Sequence, residues 1–108
     1  MSLSWLPGFL RTRRRSLSAQ QQIALEARDL ALYHMPLCSY CHRVRRALWW
    51  LNLPLELRNA DEERWGEELR RQGGKLQVPC LRIRHEERVE WLYESTDIID
   101  YLKRRFGH

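Results

Sequence analysis

One stretch decides the fold: residues 32–42 read Leu-Tyr-His-Met-Pro-Leu-Cys-Ser-Tyr-Cys-His. An apolar segment that predicts a β-strand leads into a turn, and Cys38 and Cys41 follow with two residues between them. From Arg43 to Leu51 the apolar residues recur at i, i+3, i+4 and i+7, which predicts an amphipathic helix. We therefore expect Cys38 just before this helix and Cys41 in its first turn.

This placement favours a reactive thiol. The first turn of a helix has N–H groups without intrahelical partners, and the positive end of the helix dipole lies there. Both stabilise a thiolate, and a Cys-x-x-Cys pair at a helix start can have a pKa well below the free value of about 8.5. Because the thiolate is the form that attacks disulfides, residues 38–41 predict a site for dithiol–disulfide exchange.

The composition is that of one small globular domain. The 108 residues are 44% hydrophobic and 31% charged, without a repeat or a low-complexity tract, and support a single domain. Much of the net charge of +5 comes from the run 11–15. Beyond that run acids and bases nearly balance, so we expect no nucleic-acid partner. Three cysteines are too few for a secreted disulfide framework, which favours a reducing, cytoplasmic location.

Residues 1–16 differ from the rest of the chain. A short apolar stretch, interrupted by Pro7-Gly8, is followed by the arginines. It is shorter than the ~20 residues that span a bilayer, and its charge follows the apolar part, unlike that of a signal peptide. We divide the chain into this tail and a domain at 17–108. The tail is either mobile or a weak contact with the anionic inner face of a membrane.

Periodicity and breaker residues predict the elements of the first half of the domain. A helix at about 18–28 precedes a strand at about 30–34. After the cysteine helix, leucines that alternate with polar residues at 53, 55 and 57 predict a second strand. A weak helix capped by Asp61 follows and ends at Gly73-Gly74.

The second half predicts a hairpin and a helix. Residues 78–83 form a strand that begins at a proline. A polar turn at 84–87 and a returning strand at 88–92 make an antiparallel hairpin. The last helix starts at Ser95. Together with a right-handed crossover between the first two strands, this predicts an α/β fold: a mixed four-stranded sheet flanked by helices, with an extra N-terminal helix.

Three motifs carry a resemblance to known proteins. They are Cys38-Ser39-Tyr40-Cys41, Val78-Pro79 and Glu94-Ser95-Thr96-Asp97-Ile98. Cys-x-x-Cys after a strand and before a helix is typical of thioredoxin-like redox proteins. From about residue 30 to 106 the chain resembles a glutaredoxin, and also the N-terminal, glutathione-binding half of a glutathione transferase. Two positions depart from glutaredoxins: Ser39 replaces the usual proline, and Met35 stands where a lysine is common.

The resemblance implies an enzyme, a glutathione-dependent thiol–disulfide oxidoreductase with a redox-active disulfide and a role in electron transport. Cys38 would attack a mixed disulfide or become glutathionylated, and Cys41 would resolve it. Glutathione would be the co-substrate, with no metal. The protein partners would be disulfide-bearing or glutathionylated proteins. We interpret His34 as a strand-end histidine rather than as a replacement for the missing lysine.

The resemblance also implies a glutathione site. Pro79 would be cis, and the Val78 backbone would bind the cysteinyl part of glutathione. The γ-glutamyl group would be held at the start of the last helix, where a helix N-terminus offers an anion site. The residues assigned to this site are Tyr40, Val78, Pro79, Glu94, Ser95, Thr96 and Asp97. The residues alone leave two alternatives open: plain N-capping for Ser95 and a carboxylate that serves only the helix dipole for Asp97.

Other functions fit parts of the sequence. We expect the all-helical second domain of a transferase to be missing, so a glutathione-binding, transferase-like module without conjugation activity is an alternative. Residues 38–42 are also a Cys-x-x-Cys-His haem attachment motif, although no export signal precedes them. An iron–sulfur cluster bridging two subunits through Cys38 and glutathione is a further alternative.

A zinc site is another alternative; it would need a histidine as fourth ligand beside the three cysteines, and a second pair of ligands close together in sequence. Cys38, Cys41 and Cys80 with one histidine would make a Cys₃His set, and the candidate histidines are His34, His42 and His85. A closed structural site usually has two tight pairs of ligands, and the sequence has one. We expect Cys80 to be a small buried core residue.

Overall fold

The computed structural model describes residues 17–107, so the N-terminal tail lies outside the described residues. The elements are α1 (Leu17–Ala27), β1 (Leu30–His34), α2 (Ser39–Leu51), β2 (Glu56–Asn59), α3 (Glu63–Glu68), β3 (Cys80–Arg84), β4 (Val89–Leu92) and α4 (Ser95–Phe106). α3 continues into a wider, π-type turn at Leu69–Gly73. Within 17–107 no helix is both long enough and apolar enough to cross a bilayer.

The four strands form one mixed sheet in the order β2-β1-β3-β4. β1 pairs with β2 in parallel because α2 carries the chain back across the sheet, while β1 with β3 and β3 with β4 are antiparallel. The connection between β3 and β4 is short, and His85 donates its N–H to the carbonyl of Arg88 at 2.8 Å. The predicted α/β architecture, including the extra N-terminal helix, is confirmed.

The sheet buries a different apolar set on each face. Side chains alternate along a strand, so Leu30 and Leu32 of β1 face α2 and α4 while Tyr33 faces α3. The first core holds Leu30, Leu32, Val44, Leu48, Leu51, Leu53, Leu81, Ile83, Ile98, Leu102 and Phe106. The second, smaller core holds Tyr33, Ala60, Leu69 and Cys80. Helices therefore cover both faces of the sheet.

The starts of two strands differ from the prediction by two residues or more. β2 begins at Glu56, not at Leu53, because Glu56 lies opposite Ala31 and earlier residues have almost no β1 strand left to pair with. Leu53 is buried, but it lies in the loop after α2. β3 begins at Cys80, one residue after the proline.

The predicted cap of α3 is wrong. Glu62, not Asp61, precedes the first helical residue, and its side chain makes no capping hydrogen bond. The Asp61 N–H donates to the Asn59 side-chain oxygen at 2.9 Å, so Asn59 closes a local turn that moves the helix start onward. The π-type turn that continues α3 ends at Gly73, and Gly74 follows it with φ 96°, so the predicted stop at Gly73-Gly74 is confirmed.

Candidate functional site

Cys38 is the N-cap residue of α2. Its backbone is extended (φ −85°, ψ 120°), and its Sγ accepts the backbone N–H of Cys41 at 3.4 Å. A sulfur at this position therefore satisfies one of the N–H groups that a helix start leaves unpaired. Cys38 is partly exposed, whereas Cys41 is fully buried behind it, and both are free thiols. A dissolved disulfide can thus reach Cys38 first.

The pKa values of the two thiols are shifted in opposite directions. Partial burial raises the pKa of the Cys38 thiol, but hydrogen bonds from Cys41 and from the Tyr40 backbone, together with the charge of Arg45, outweigh it and leave this pKa below its ordinary value. Burial, and then the neighbouring Cys38 sulfur, raise the pKa of Cys41. Cys38 is therefore the thiol of the pair that ionises more readily, while Cys41 keeps its proton to higher pH.

Arg45 is a residue that the sequence analysis missed. Its guanidinium lies against the loop before Cys38: Nη1 is 3.0 Å from Nδ1 of His34 and donates to the Met35 carbonyl at 3.3 Å, and Nη2 donates to the Pro36 carbonyl at 3.3 Å. Glutaredoxins often have a lysine three residues before the first cysteine, where Met35 stands in this chain. α2 supplies a cation instead from seven residues after Cys38, a spacing that places both on one helix face.

His34 lies at the end of β1, as predicted. Its Nδ1 accepts a hydrogen bond from Arg45. Burial, followed by the charge of Arg45, lowers the pKa of His34. The imidazole is therefore neutral and does not supply the positive charge near Cys38, a task that falls to Arg45.

The loop before β3 meets the cysteines. The Val78–Pro79 peptide is cis, as the resemblance implied. Pro79 is buried, and the Val78 carbonyl oxygen lies 4.0 Å from the Cys38 Sγ. Backbone groups of this loop are therefore within reach of whatever is bonded to Cys38.

The start of α4 is open to an anion. Glu94 occupies the N-cap position (φ −85°, ψ 128°) without a side-chain capping bond, and Ser95 is the first helical residue rather than the cap. Ser95 is buried, whereas Thr96 and Asp97 are exposed. First-turn N–H groups have no intrahelical acceptor, and in this part of the chain no side-chain cap occupies them.

One end of the sheet brings together the two cysteines of α2, the cis-proline loop and the start of α4. Tyr33 lies opposite Cys80, and Leu81 lies opposite Leu92, so the end of β1, the beginning of β3 and the end of β4 share an edge. α2 and α4 each start at that edge and pack against one another. Cys38, Cys41 and the residues predicted to bind glutathione therefore lie on elements that meet at this edge. Tyr40 is exposed in the first turn of α2, with Arg43 5.7 Å from its ring centre.

Cys80 belongs to the smaller core. It is fully buried, as predicted, and burial raises its pKa to about 12, with hydrogen bonds from Tyr93 and from the Leu92 backbone acting in the opposite direction. Among residues 17–107 no three His, Cys, Asp or Glu side chains are grouped so as to hold a metal ion.

A family model described as glutathione S-transferase, N-terminal domain, matches residues 32–108. The chain belongs to this family. The match begins on β1 and includes both cysteines, the cis-proline loop and α4. The resemblance found in the sequence is thereby confirmed. No curated protein sequence matches the chain.

Solved structures agree with the family. Maleylacetoacetate isomerase from Anaeromyxobacter dehalogenans, with glutathione bound in its active site, is 27% identical with a TM-score of 0.57, covering 73% of this chain and 38% of that one. A second structure of that isomerase is 29% identical, with a TM-score of 0.55 over 73% of this chain and 36% of its own. This chain thus spans less than two fifths of the isomerase.

A glutaredoxin shares the fold over more of the chain. Oxidized glutaredoxin 2 from Chlamydomonas reinhardtii is 16% identical, with a TM-score of 0.52, covering 83% of this chain and 91% of that one. At this identity the likeness concerns the fold alone. This member of the transferase N-terminal family therefore has a thioredoxin-like, glutathione-binding type of domain.

Proposed function

We propose that the protein is a glutathione-dependent thiol–disulfide oxidoreductase of glutaredoxin type. One observation carries the proposal: Cys38 is a partly exposed helix-cap thiol with a lowered pKa, directly in front of the buried Cys41 thiol. A thiolate that solvent can reach, backed by a second thiol, is the arrangement that disulfide exchange requires. The substrates would be glutathione mixed disulfides and disulfides of cytoplasmic proteins.

With a glutathione mixed disulfide, the Cys38 thiolate attacks the glutathione sulfur. A Cys38–glutathione disulfide forms, the substrate disulfide breaks, and the substrate sulfur leaves as a thiolate that takes a proton from water. A second glutathione, as its thiolate, then attacks the sulfur of the bound glutathione. Oxidised glutathione leaves, and the Cys38 thiolate is restored without a net change in its charge.

With a protein disulfide, Cys41 takes part. Attack by Cys38 gives a mixed disulfide with the protein and releases one protein thiolate. Cys41 loses its proton to that thiolate or to water and attacks the Cys38 sulfur, which releases the second protein thiolate. The substrate protein is now reduced, and the disulfide lies between Cys38 and Cys41. Two glutathione molecules reduce this disulfide to the dithiol and leave as oxidised glutathione.

Two parts of the site are suited to hold glutathione. The Val78 backbone beside Cys38 would pair with the cysteinyl peptide group, with Pro79 fixing the loop and Tyr40 flanking the sulfur. The uncapped first turn of α4 would receive the γ-glutamyl carboxylate, since helix N-terminal N–H groups and the dipole favour an anion there. The side chains assigned to this end are Glu94, Ser95, Thr96 and Asp97.

Reduction of a glutathione mixed disulfide by wild type, Cys38→Ser and Cys41→Ser tests the proposal. We expect Cys38→Ser to lose activity and Cys41→Ser to keep activity on glutathione mixed disulfides while losing it on protein disulfides. Equal rates for wild type and Cys38→Ser would remove Cys38 from the reaction and refute the proposal.

A glutathione-binding, transferase-like module is the second candidate. The family and the isomerase likeness, at 27% identity, favour it. Calorimetry with glutathione on Cys38→Ser, together with the disulfide turnover assay, separates the candidates. If glutathione binds and wild type does not turn over disulfides, the module is correct. If wild type turns over disulfides and Cys38→Ser does not, the oxidoreductase is correct.

A further inference from the structure

Residues 74–79 form the loop that joins the π-type turn to β3. The loop has no helix or strand of its own, and residues 74–77 are exposed. It ends at Val78 and Pro79, which are assigned to the glutathione site. Backbone groups bind a ligand well when they are already held in place, because ordering them on binding costs affinity. Loop 74–79 therefore depends on contacts from outside itself.

Tyr93, the residue that follows β4, holds this loop. Its hydroxyl donates to the Lys75 carbonyl oxygen at 3.1 Å, and the Lys75 Nζ lies 4.6 Å from the centre of the Tyr93 ring. An ammonium group within about 6 Å of an aromatic ring centre is attracted to the face of the ring. One residue of the loop is thus held by Tyr93 through both its backbone and its side chain.

The fold leaves room for the Tyr93 hydroxyl at the point where the loop begins. Gly73 is the last residue of the π-type turn, and a Cβ at this position would meet the hydroxyl and lie 3.0 Å from the Trp91 ring. Tyr93 also packs against the smaller core, which includes Cys80, the first residue of β3. Tyr93 is therefore fixed against the chain on both sides of loop 74–79.

Tyr93 also leads directly into α4. Glu94 is the N-cap residue and Ser95 the first residue of that helix, and both are assigned to the γ-glutamyl end of glutathione. The backbone of Tyr93 is thus continuous with one end of the site, while its hydroxyl holds the loop at the other end. A ligand that contacts both ends depends on the spacing between them, because productive contacts require both ends in register.

We propose that Tyr93 is a positioning residue that sets the spacing between the two halves of the glutathione site and so favours glutathione over shorter thiols. The inference rests on the glutathione site of the proposed function. Tyr93 would act through Lys75 and through the start of α4, and would not touch the reacting sulfur. Its hydroxyl should therefore matter for a thiol that spans both halves and not for one that reaches only the loop.

Single-turnover kinetics with two mixed disulfides of one peptide test the inference. One disulfide joins the peptide to glutathione, and the other joins it to N-acetylcysteine, which has no γ-glutamyl group to reach α4. Cys38 attacks the sulfur of the small thiol, and the peptide thiol is released and measured by mass spectrometry. The measurement gives a second-order rate constant for each disulfide with reduced wild type, Tyr93→Phe and Tyr101→Phe.

We expect wild type to react faster with the glutathione disulfide. Tyr93→Phe should be about three- to tenfold slower than wild type with this disulfide, the usual effect of one lost hydrogen bond. With the N-acetylcysteine disulfide it should stay within about twofold of wild type. Tyr93→Phe should thus lose most of the preference for glutathione.

Tyr101→Phe is the matched control. It removes the same group from a tyrosine whose hydroxyl accepts from the Arg105 Nη1 at 2.7 Å, a bond within α4. Its rate constants should lie within about twofold of wild type with both disulfides. Alkylation of Cys38 by iodoacetamide should be equally fast in all three proteins, because none of these changes alters the thiolate itself.

Four results would overturn the inference. An unchanged rate of Tyr93→Phe with the glutathione disulfide would show that the spacing does not depend on the hydroxyl, and equal slowing with both disulfides would show that Tyr93 only supports the loop. Equal rates of wild type with both disulfides would leave no γ-glutamyl contact to position. Wild type that releases no peptide thiol from either disulfide would refute the proposed function itself, and this inference with it.

Discussion

Arg45 shows how one side chain contributes to the reactivity of another. It holds the carbonyls of Met35 and Pro36, and its charge lowers the pKa of the Cys38 thiol, which burial alone would raise. The guanidinium therefore fixes the loop before the nucleophile and also favours its anion. We propose that it serves here as the lysine does that glutaredoxins often carry before the first cysteine.

Arg45→Met should make Cys38 less reactive at neutral pH. Removing the cation favours the protonated thiol, so the midpoint of the pH dependence of iodoacetamide alkylation should move to higher pH. The rate at pH 7 should fall roughly three- to tenfold. Mass spectrometry of the alkylated protein measures it. Arg46→Met is the control, because Arg46 makes no hydrogen bond to residues 34–36; an equal loss in that variant would contradict the role of Arg45.

Cys80 should make the protein less stable in alkali. Burial raises its pKa from 9.0 to about 12 in the folded state, so between these values the unfolded chain gives up a proton that the folded chain keeps. Stability from this group is complete below pH 9 and is lost as the pH rises through 12. In urea titrations from pH 9 to pH 11, Cys80→Ala should lose less free energy of unfolding than wild type. Parallel pH profiles would contradict this.

At the level of elements, α3 approaches the loop after β2 more closely than a side chain would permit. A Cβ at Gly66 would lie 2.7 Å from the backbone oxygen of Ala60. Backbone cannot move aside as a flexible side chain can, so the position requires glycine. This contact holds α3 against the smaller of the two cores.

Gly66→Ala should therefore destabilise the protein by about 1–3 kcal/mol, as is usual for overpacking, despite the better helix propensity of alanine. Urea unfolding measures the change. Gln72→Ala, at an exposed position of the following π-type turn, is the control and should lie within about 0.5 kcal/mol of wild type. A stabilised Gly66→Ala would show that α3 can move away from Ala60.

The elements that could be predicted are those with strong local signals. The apolar run at residues 30–34 and helical periodicity located β1, α2 and α4 almost to the residue, and Gly73-Gly74 located the end of the turn that follows α3. The start of β2 could not be predicted, because it depends on where β1 begins on the neighbouring strand. The cap of α3 failed for a similar reason, since Asn59 takes the Asp61 N–H.

The parts of the candidate site with a local sequence signal could be predicted as well. Helix-start chemistry and the family motifs pointed to Cys38, Cys41, Pro79 and the beginning of α4. Arg45 could not be found from its sequence neighbours, because its hydrogen bonds run from α2 back to residues 34–36. That arrangement exists only once the loop and the helix are folded against each other.

For the molecule as a whole, β1 and β3 join the two cores. Both strands are central in the sheet and send side chains to each face. Damage to one core should therefore weaken the other, and the domain should unfold as one cooperative unit.

Leu81→Ala, on β3 in the larger core, should lower the free energy of unfolding by about 2–5 kcal/mol. Far-ultraviolet circular dichroism and tryptophan fluorescence should give the same urea midpoint, because Trp65 and Trp91 lie against the opposite core. Leu25→Ala, at an exposed site of α1, is the control and should be nearly neutral. Separate midpoints for the two probes would show that the faces unfold independently.

The contrast in burial among the three cysteines has a practical consequence. Cys41 and Cys80 are sealed inside the protein, while Cys38 meets solvent at the helix start. A maleimide dye, a spin label or an activated resin would attach to the native chain at one known position, with no need to replace the other two sulfurs. The same contrast means that a single-equivalent thiol titration of the folded protein, rising to three equivalents in denaturant, serves as a simple assay of whether a preparation is intact.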